Sequence, residues 1–303
     1  MKLYVNQVIW FCIFSVATLS GLAQENSAHK SHADFNKLNA NHSYFSANGP
    51  SSVNLKKIPS LTGEYEVFGW YPNWDQAYFK ELNYGLVSTI AYFSYNVNPA
   101  DGSTSVQNEW IIDALADSAK KYGHKVLLTA SNFGGADNKL LLNNPNSTQR
   151  LISDLVAANK LHKTDGICLN FEAINGSDKQ AFATFTSQLR SALDKQGSGN
   201  LIYITVPAVD WTKSILFDSL VNTVDKFVIM GYNYYSAVST KAGPNSPLNS
   251  GNIWSSNNLN TSIDYYLANK LPASKLILAL PFYGQAWNTE SNAIGAEAKS
   301  YVG

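Results

Sequence analysis

Residues 164–172 read TDGICLNFE and end in a glutamate. Side chains along a β-strand point alternately to its two faces, so Cys168, Asn170 and Glu172 share one face and the apolar residues between them share the other. In a closed barrel of parallel strands, functional side chains lie at the carboxyl ends of the strands. The segment therefore predicts a buried barrel strand with Glu172 at its functional end.

Short apolar runs alternate with amphipathic stretches from residue 64 onward, a pattern typical of βα units in a parallel sheet. Seven runs are predicted as strands, over 66–71, 87–95, 125–129, 165–171, 201–206, 226–232 and 275–281. Five helices are predicted between them, over 109–122, 148–162, 178–195, 214–222 and 260–269. The predicted fold class is α/β, a (β/α)8 TIM barrel that lacks its eighth strand in this chain.

The barrel domain is predicted over 64–303. Hydrophobic residues make up 45% of the chain, which is enough to bury one large core. A complete (β/α)8 barrel takes about 250 residues, and the tail after Trp287 shows no convincing strand. We therefore expect the domain to be incomplete at its C-terminus, as in a fragment of a longer protein.

The first 23 residues are typical of a secretory signal peptide. Lys2 supplies a positive charge, residues 8–22 form an uncharged apolar run, and Ala23 is a small residue at the expected cleavage site. That run is too short to cross a bilayer comfortably. We expect a secreted, periplasmic or cell-surface protein with no membrane span after cleavage. Residues 24–63 are polar and show no hydrophobic period, which predicts a flexible leader.

Charge and cysteine content argue against several classes of protein. Basic and acidic residues number 22 each, so nothing points to a nucleic acid partner. Removal of the signal leaves Cys168 as the one cysteine, which rules out an internal disulfide, and no Cys/His spacing predicts a metal site. Cys168 is either a nucleophile or a small apolar residue of the strand, and the second interpretation is favoured. No cofactor is predicted.

The strand over 165–172 resembles the D-x-x-D-x-D-x-E signature of family 18 glycoside hydrolases, the chitinase family. Asp165 and Glu172 match its first and last positions. Cys168 and Asn170 stand where the signature has its other two aspartates. Further segments resemble the same family in the same order, namely FGWYPNW at 68–74, IAYF at 90–93, SNFGG at 131–135, MGYNY at 230–234 and LPFYGQAW at 280–287.

The resemblance implies a glycosidase that cleaves β-1,4 bonds in chitin or other N-acetylglucosamine glycans, with the substrate's own acetamido group as nucleophile. Glu172 would be the general acid, and Asn170 and Tyr232 would hold the acetamido group. Further substrate-binding residues are expected at strand ends, namely Tyr71, Trp74, Tyr92, Met230, Asn233, Tyr283 and Trp287. Of these, Tyr71 and Trp287, like Tyr232, are equally compatible with a place in the core.

Two departures from the family pattern bear on activity, because Asn170 and Asn233 each replace an aspartate. Gln285 also departs from the pattern, at a position where arginine is common. An amide oxygen accepts the same hydrogen bond as a carboxylate but carries no charge, and loss of one such partner slows catalysis about 100- to 1000-fold. The alternative is a catalytically impaired, lectin-like glycan-binding protein on the same barrel. Asp165 is out of phase with the inward row and is predicted to be a capping or loop-fixing residue.

Overall fold

The structure is a computed structural model that describes residues 65–74, 78–197 and 199–303. The predicted signal peptide over 1–23 and the predicted leader over 24–63 lie outside the described residues. Within the described ranges, none of the helices combines the length and the apolar character that crossing a membrane requires.

Seven parallel strands form one curled sheet and follow one another in chain order. They are β1 (Phe68–Pro72), β2 (Thr89–Val97), β4 (Lys125–Phe133), β5 (Gly166–Glu172), β6 (Leu201–Pro207), β7 (Lys226–Met230) and β8 (Leu276–Ala279). The short strand β3 (Thr104–Val106) pairs antiparallel with β2. All seven predicted strands are present, which confirms the α/β class. Among the described residues β1 and β8 do not pair with each other, so the sheet is an open half-barrel.

Helices connect the strands and pack against the sheet. They are α1 (Trp110–Lys120), α2 (Gly135–Leu142), α3 (Pro145–Leu161), α4 (Lys179–Asp194), α5 (Phe217–Leu220) and α6 (Leu259–Ala268). Four of the five predicted helices are found within a few residues of their expected ends. The helix expected over 214–222 is a single turn, α5. The sequence did not predict α2, because its eight residues carry no one-sided apolar pattern.

The tail of the chain forms a hairpin, which corrects the expectation that it contains no strand. The strand β9 (Trp287–Thr289) pairs antiparallel with β10 (Ala298–Tyr301). Neither strand joins the parallel sheet, so the hairpin does not supply an eighth barrel strand. Side chains over 281–290 alternate between half-buried and exposed, as extended chain with one packed face does.

Buried side chains form two clusters, one on each face of the sheet. The outer cluster contains side chains from both strands and helices. The inner cluster is smaller, and its buried members all come from strands, namely Ala91, Leu127, Cys168, Tyr203 and Val228. Because side chains alternate along β5, the position of Cys168 puts Asn170 and Glu172 on the inner face, as predicted. Burial raises the pKa of the Cys168 thiol to about 12, so this thiol stays protonated and inert.

Two residues fix the start of β5. The side chain of Asp165 accepts a hydrogen bond from the backbone N–H of Val126 in β4 at 2.8 Å, which confirms its predicted loop-fixing role. The next residue, Gly166, has a φ of +146°. A Cβ atom at this position would lie 2.0 Å from the carbonyl oxygen of Leu201 in β6, so the close approach of β6 requires glycine.

Near the amino ends of the strands, the carboxylate of Glu66 is bound by three other side chains. Glu66 Oε1 accepts hydrogen bonds from Thr89 Oγ1 and from the Tyr203 hydroxyl, each at 2.5 Å. Lys226 Nζ lies 3.3 Å from Glu66 Oε2. Burial acts to raise the pKa of Glu66, but the two hydrogen bonds and the lysine charge outweigh it, so this pKa lies below its usual value of 4.5.

Glu66→Gln is expected to lower the free energy of unfolding by about 1–3 kcal/mol near neutral pH, the usual loss for hydrogen bonds to a charged group. Because the folded-state pKa of Glu66 is lowered, this stabilisation is present above about pH 4.5 and is lost as the pH falls through the folded-state pKa. Urea unfolding of both proteins at about pH 7 and about pH 3 measures the difference.

Glu297→Gln is the matched control for that measurement, because the Glu297–Lys241 ion pair is exposed on both sides. Exposed pairs contribute little to stability, so this variant should unfold like the wild type. If Glu66→Gln lowers the free energy of unfolding equally at both pH values, the charge of Glu66 contributes nothing to stability.

Candidate active site

A cleft opens at the carboxyl ends of β5, β6 and β7. Its walls come from the ends of these strands and from the loops that follow them, and include Glu172, Pro207, Trp211, Met230, Tyr232 and Asn233. Among the described residues that line the cleft, Glu172 is the one carboxylate. Carboxyl ends of parallel strands are where functional side chains are expected, so we call this cavity the Glu172 cleft.

Asn170 lies one inward position before Glu172 and is fully buried. Its Nδ2 donates a hydrogen bond to Glu172 Oε1 at 3.0 Å. Its Oδ1 is buried without a partner among the described residues. An unsatisfied buried acceptor costs about 1–3 kcal/mol, so the position of Asn170 beneath Glu172 is unfavourable for stability.

The backbone of Glu172 is held from α2. Asn138 is fully buried, and its Nδ2 donates to the carbonyl oxygen of Glu172 at 2.6 Å and to that of Gly134 at 3.1 Å. Its Oδ1 accepts from Asn132 Nδ2 at 3.0 Å. We call this group of contacts the Asn138 clamp. It fixes the end of β5 through the main chain, independently of the side chain at position 170.

Tyr232 follows β7 and lies against the acid. Burial raises the pKa of Tyr232 well above its usual value of 10.0, and the negative charge of Glu172 adds to this effect. The phenol therefore remains protonated and acts as an O–H donor. Its ring meets the ring of Tyr283 edge-on, with centroids 6.1 Å apart. The structure thus brings together Glu172, Asn170 and Tyr232, the three residues that the sequence grouped.

Asn233 and Gln285 are in direct contact. Asn233 Oδ1 accepts hydrogen bonds from Gln285 Nε2 at 2.8 Å and from the Tyr283 hydroxyl at 2.9 Å. The hydroxyl of Tyr301 donates to Gln285 Oε1. We call the chain of bonds from Tyr301 through Gln285 to Asn233 the amide relay. It joins the β9–β10 hairpin to the wall of the Glu172 cleft.

Two expected binding residues lie on the other face of the sheet. Tyr71 and Tyr92 are 3% and 0% exposed and belong to the outer cluster. The Tyr92 hydroxyl donates to the backbone carbonyl of Gln107. Their assignment to the sugar site is therefore corrected. In β1 the side chains that pack with the inner cluster are those of Phe68 and Trp70.

The other expected residues divide into two groups. Met230 lines the Glu172 cleft, and Tyr283 packs behind Tyr232. Trp74 instead packs edge-on against Phe93, with centroids 6.2 Å apart, and Trp287 packs against Tyr301 at 5.8 Å. Neither tryptophan is part of the cleft wall that the described residues form.

The sequence missed Trp211, which lines the cleft and is 64% exposed. Its loop is fixed on both sides. Asp210 Oδ1 accepts from Ser214 N at 2.8 Å and from Ser214 Oγ at 2.9 Å, and Thr212 Oγ1 donates to the carbonyl oxygen of Ile174 at 2.9 Å. An aromatic residue four positions after the carboxyl end of a barrel strand was the available signal.

Among the residues that the structure describes, the cleft contains one carboxyl group, that of Glu172, surrounded by amide and phenol side chains. Within the described ranges, no three His, Cys, Asp or Glu side chains come together in a way that could hold a metal ion. Glu172 can exchange a proton and Tyr232 can donate a hydrogen bond, while Asn170 lies buried beneath them with an acceptor oxygen to which no described residue donates.

Comparisons with known proteins agree on one family. The model of the Glycosyl hydrolases family 18 matches residues 66–301. Chitotriosidase-1 of Mus musculus is 28% identical over 153 residues, which cover 44% of this chain and 33% of that protein. YdhD of Bacillus subtilis is 25% identical over 210 residues, which cover 66% of this chain and 46% of that protein. The chain spans about half the length of the curated relatives it matches, or less.

Solved structures agree on the fold. A chitinase from Cycas revoluta in complex with (GlcNAc)4 superposes with a TM-score of 0.72. It is 18% identical, and the match covers 78% of this chain and 76% of that chain. At this identity the likeness establishes the fold and leaves the chemistry to the residues of the cleft.

Proposed function

The chain belongs to glycosyl hydrolases family 18, and we propose that its Glu172 cleft binds N-acetylglucosamine glycans such as chitin and cleaves their β-1,4 bonds slowly. The observation that carries this proposal is the placement of Glu172, Asn170 and Tyr232 together at the carboxyl ends of the strands. The chitinases among its relatives and the bound (GlcNAc)4 of the Cycas revoluta structure support the choice of glycan.

The proposed reaction uses the acetamido group of the substrate as nucleophile. Its carbonyl oxygen bonds to the anomeric carbon while the bond to the leaving glycosidic oxygen breaks. Glu172 gives its proton to that oxygen, and later takes one from the water that opens the oxazolinium intermediate. Asn170 Oδ1 accepts from the acetamido N–H, and the Tyr232 hydroxyl donates to the acetamido oxygen. Without a charge at position 170 the cationic intermediate is poorly stabilised, which makes the reaction slow.

The second candidate is a lectin-like protein that binds the same glycans without cleaving them. The neutral side chains at 170 and 233 favour it, because Glu172 is the one carboxylate among the described residues of the cleft wall. Binding is common to both candidates, whereas turnover separates them.

Chitotetraose is expected to bind the folded protein with heat measurable by calorimetry. Trp211→Ala should weaken this binding about two- to tenfold, because an aromatic contact contributes about 0.5–1.5 kcal/mol beyond the area that it covers. Trp110→Ala is the matched control, since Trp110 is also exposed, at 56%, but lies on α1 and outside the cleft wall. A folded wild-type sample that releases no heat at millimolar sugar would rule out both candidates.

The proposal includes export from the cell. It rests on the signal-like pattern of residues 1–23, whose charge and apolar run match those of secretory signals. N-terminal sequencing of the protein recovered from the medium or envelope should begin after Ala23. Recovery of an intact N-terminus from the cytosol would contradict it.

A further inference from the structure

We propose that Asn233 presents its Nδ2 hydrogens to the ligand, and that Gln285 and Tyr301 are positioning residues that fix this orientation through the amide relay. The ligand part of this inference rests on the proposed function. The orientation of the Asn233 amide does not, because it follows from contacts within the protein.

The oxygen of the Asn233 amide is already occupied. Gln285 Nε2 and the Tyr283 hydroxyl both donate to Asn233 Oδ1, and together they use the two lone pairs of an amide oxygen. No described residue accepts a hydrogen bond from Asn233 Nδ2. Because Asn233 also lines the Glu172 cleft, its remaining polar atoms are two donor hydrogens at the cleft wall.

Gln285 keeps its own orientation because of the hairpin. An amide oxygen can only accept, so the hydroxyl of Tyr301 must donate to Gln285 Oε1. This leaves Gln285 Nε2 facing Asn233. Tyr301 is in turn held by ring contact with Trp287 at 5.8 Å, and Asn288 Nδ2 joins the two strands through Ser300 Oγ at 2.9 Å. The hairpin thereby determines that the amide hydrogens of Asn233, and not its oxygen, face the cleft.

This orientation defines the ligand chemistry at this point of the wall. A carboxylate at position 233 would offer acceptors and a negative charge, whereas the oriented amide offers neutral donors. The ligand group that fits is a hydroxyl or carbonyl oxygen of an uncharged sugar.

Gln285→Glu tests the orientation without any ligand. The introduced carboxylate accepts the Tyr301 hydrogen bond but cannot donate to Asn233, so the Asn233 amide must turn and donate its Nδ2 hydrogens to it. NMR of protein with 15N-labelled asparagine follows exchange of these hydrogens with water, and Asn233→Asp identifies their signal by removing it. Exchange should be fast in the wild type and at least about tenfold slower in Gln285→Glu.

A second pair of variants separates positioning from structural support. Tyr301→Phe removes the donor that holds Gln285, so the Asn233 signal should show mixed orientations while the protein remains folded. Gln285→Met removes the relay without imposing the opposite orientation. The Asn233 Nδ2 hydrogens of this variant should therefore still exchange rapidly with water. Slow exchange in the wild type, or unchanged exchange in Gln285→Glu, would overturn the inference.

Calorimetry with chitotetraose then tests the ligand part. Gln285→Glu should bind about 5- to 100-fold more weakly than the wild type, because an acceptor now faces the ligand oxygen. The ratio of the two affinities should return toward one below about pH 4, where the introduced carboxyl is protonated and donates again. If the wild type and Gln285→Glu bind chitotetraose with equal affinity at every pH, the donor role of Asn233 is refuted. If the exchange results hold but the wild type binds no sugar, the proposed function fails and the orientation stands.

Discussion

Asn170→Asp is expected to raise kcat on a chito-oligosaccharide about 100-fold, with little change in binding. The charge matters most where the oxazolinium ion forms, so the gain should appear in kcat rather than in KM. Both side chains can accept the same hydrogen bond from the acetamido N–H, which leaves affinity nearly unchanged.

The geometry around Glu172 explains the size of this effect. Asn170 Nδ2 donates to Glu172 Oε1 at 3.0 Å. An amide at this distance can donate to the acid but cannot share a proton with it. Two carboxyl groups this close hold one proton between them, which supplies both a proton donor and a negative charge in the same site.

The control for this gain is Asn144→Asp. Asn144 is the N-cap residue of α3, where its Oδ1 accepts from the backbone N–H groups of Asn146 and Ser147, and it lies outside the cleft wall. The same exchange of amide for carboxylate is tolerated at a helix N-cap and should not raise turnover. If folded Asn170→Asp binds sugar and still does not hydrolyse it, the slowed enzyme is excluded and the lectin-like candidate takes its place.

Glu172→Gln is expected to lower turnover about 100- to 10,000-fold, the usual contribution of a general acid. The amide has the same size and its oxygen still accepts from Asn170 Nδ2, so the fold and sugar binding should be retained. A fluorogenic chito-oligosaccharide measures the rate. The loss is best measured in the Asn170→Asp background, where the starting rate is higher.

Glu290→Gln is the matched control, since Glu290 is exposed just after β9 and lies outside the cleft wall. Its turnover should equal that of the parent protein. A wild-type rate in Glu172→Gln would show that another group donates the proton.

The sequence predicted the inner row of β5 because small and polar residues alternate there with large apolar ones. It failed for Tyr71 and Tyr92 because β1 and β2 are apolar on both faces, so a period of two does not say which face is inward. It likewise missed α2 and the β9–β10 hairpin, whose residues show no clear periodic pattern.

The amide relay was beyond prediction for a different reason. Asn233 and Gln285 are 52 residues apart in the chain, and each stands out in the sequence only as a separate departure from the family pattern. Their contact depends on how the segment after β8 crosses the end of β7. Neither composition nor periodicity encodes such a crossing.

The Asn138 clamp also bears on how such a protein can evolve. Because α2 holds the main chain of Glu172, a substitution at position 170 changes the electrostatics around the carboxylate while the backbone that carries it stays fixed. Selection can therefore exchange aspartate and asparagine there by one substitution, with the backbone scaffold of the cleft inherited intact. If the proposed function is correct, a lineage with this clamp can move between digesting a glycan and retaining it, and can reverse the move, while every intermediate sequence keeps the main chain of the acid in place.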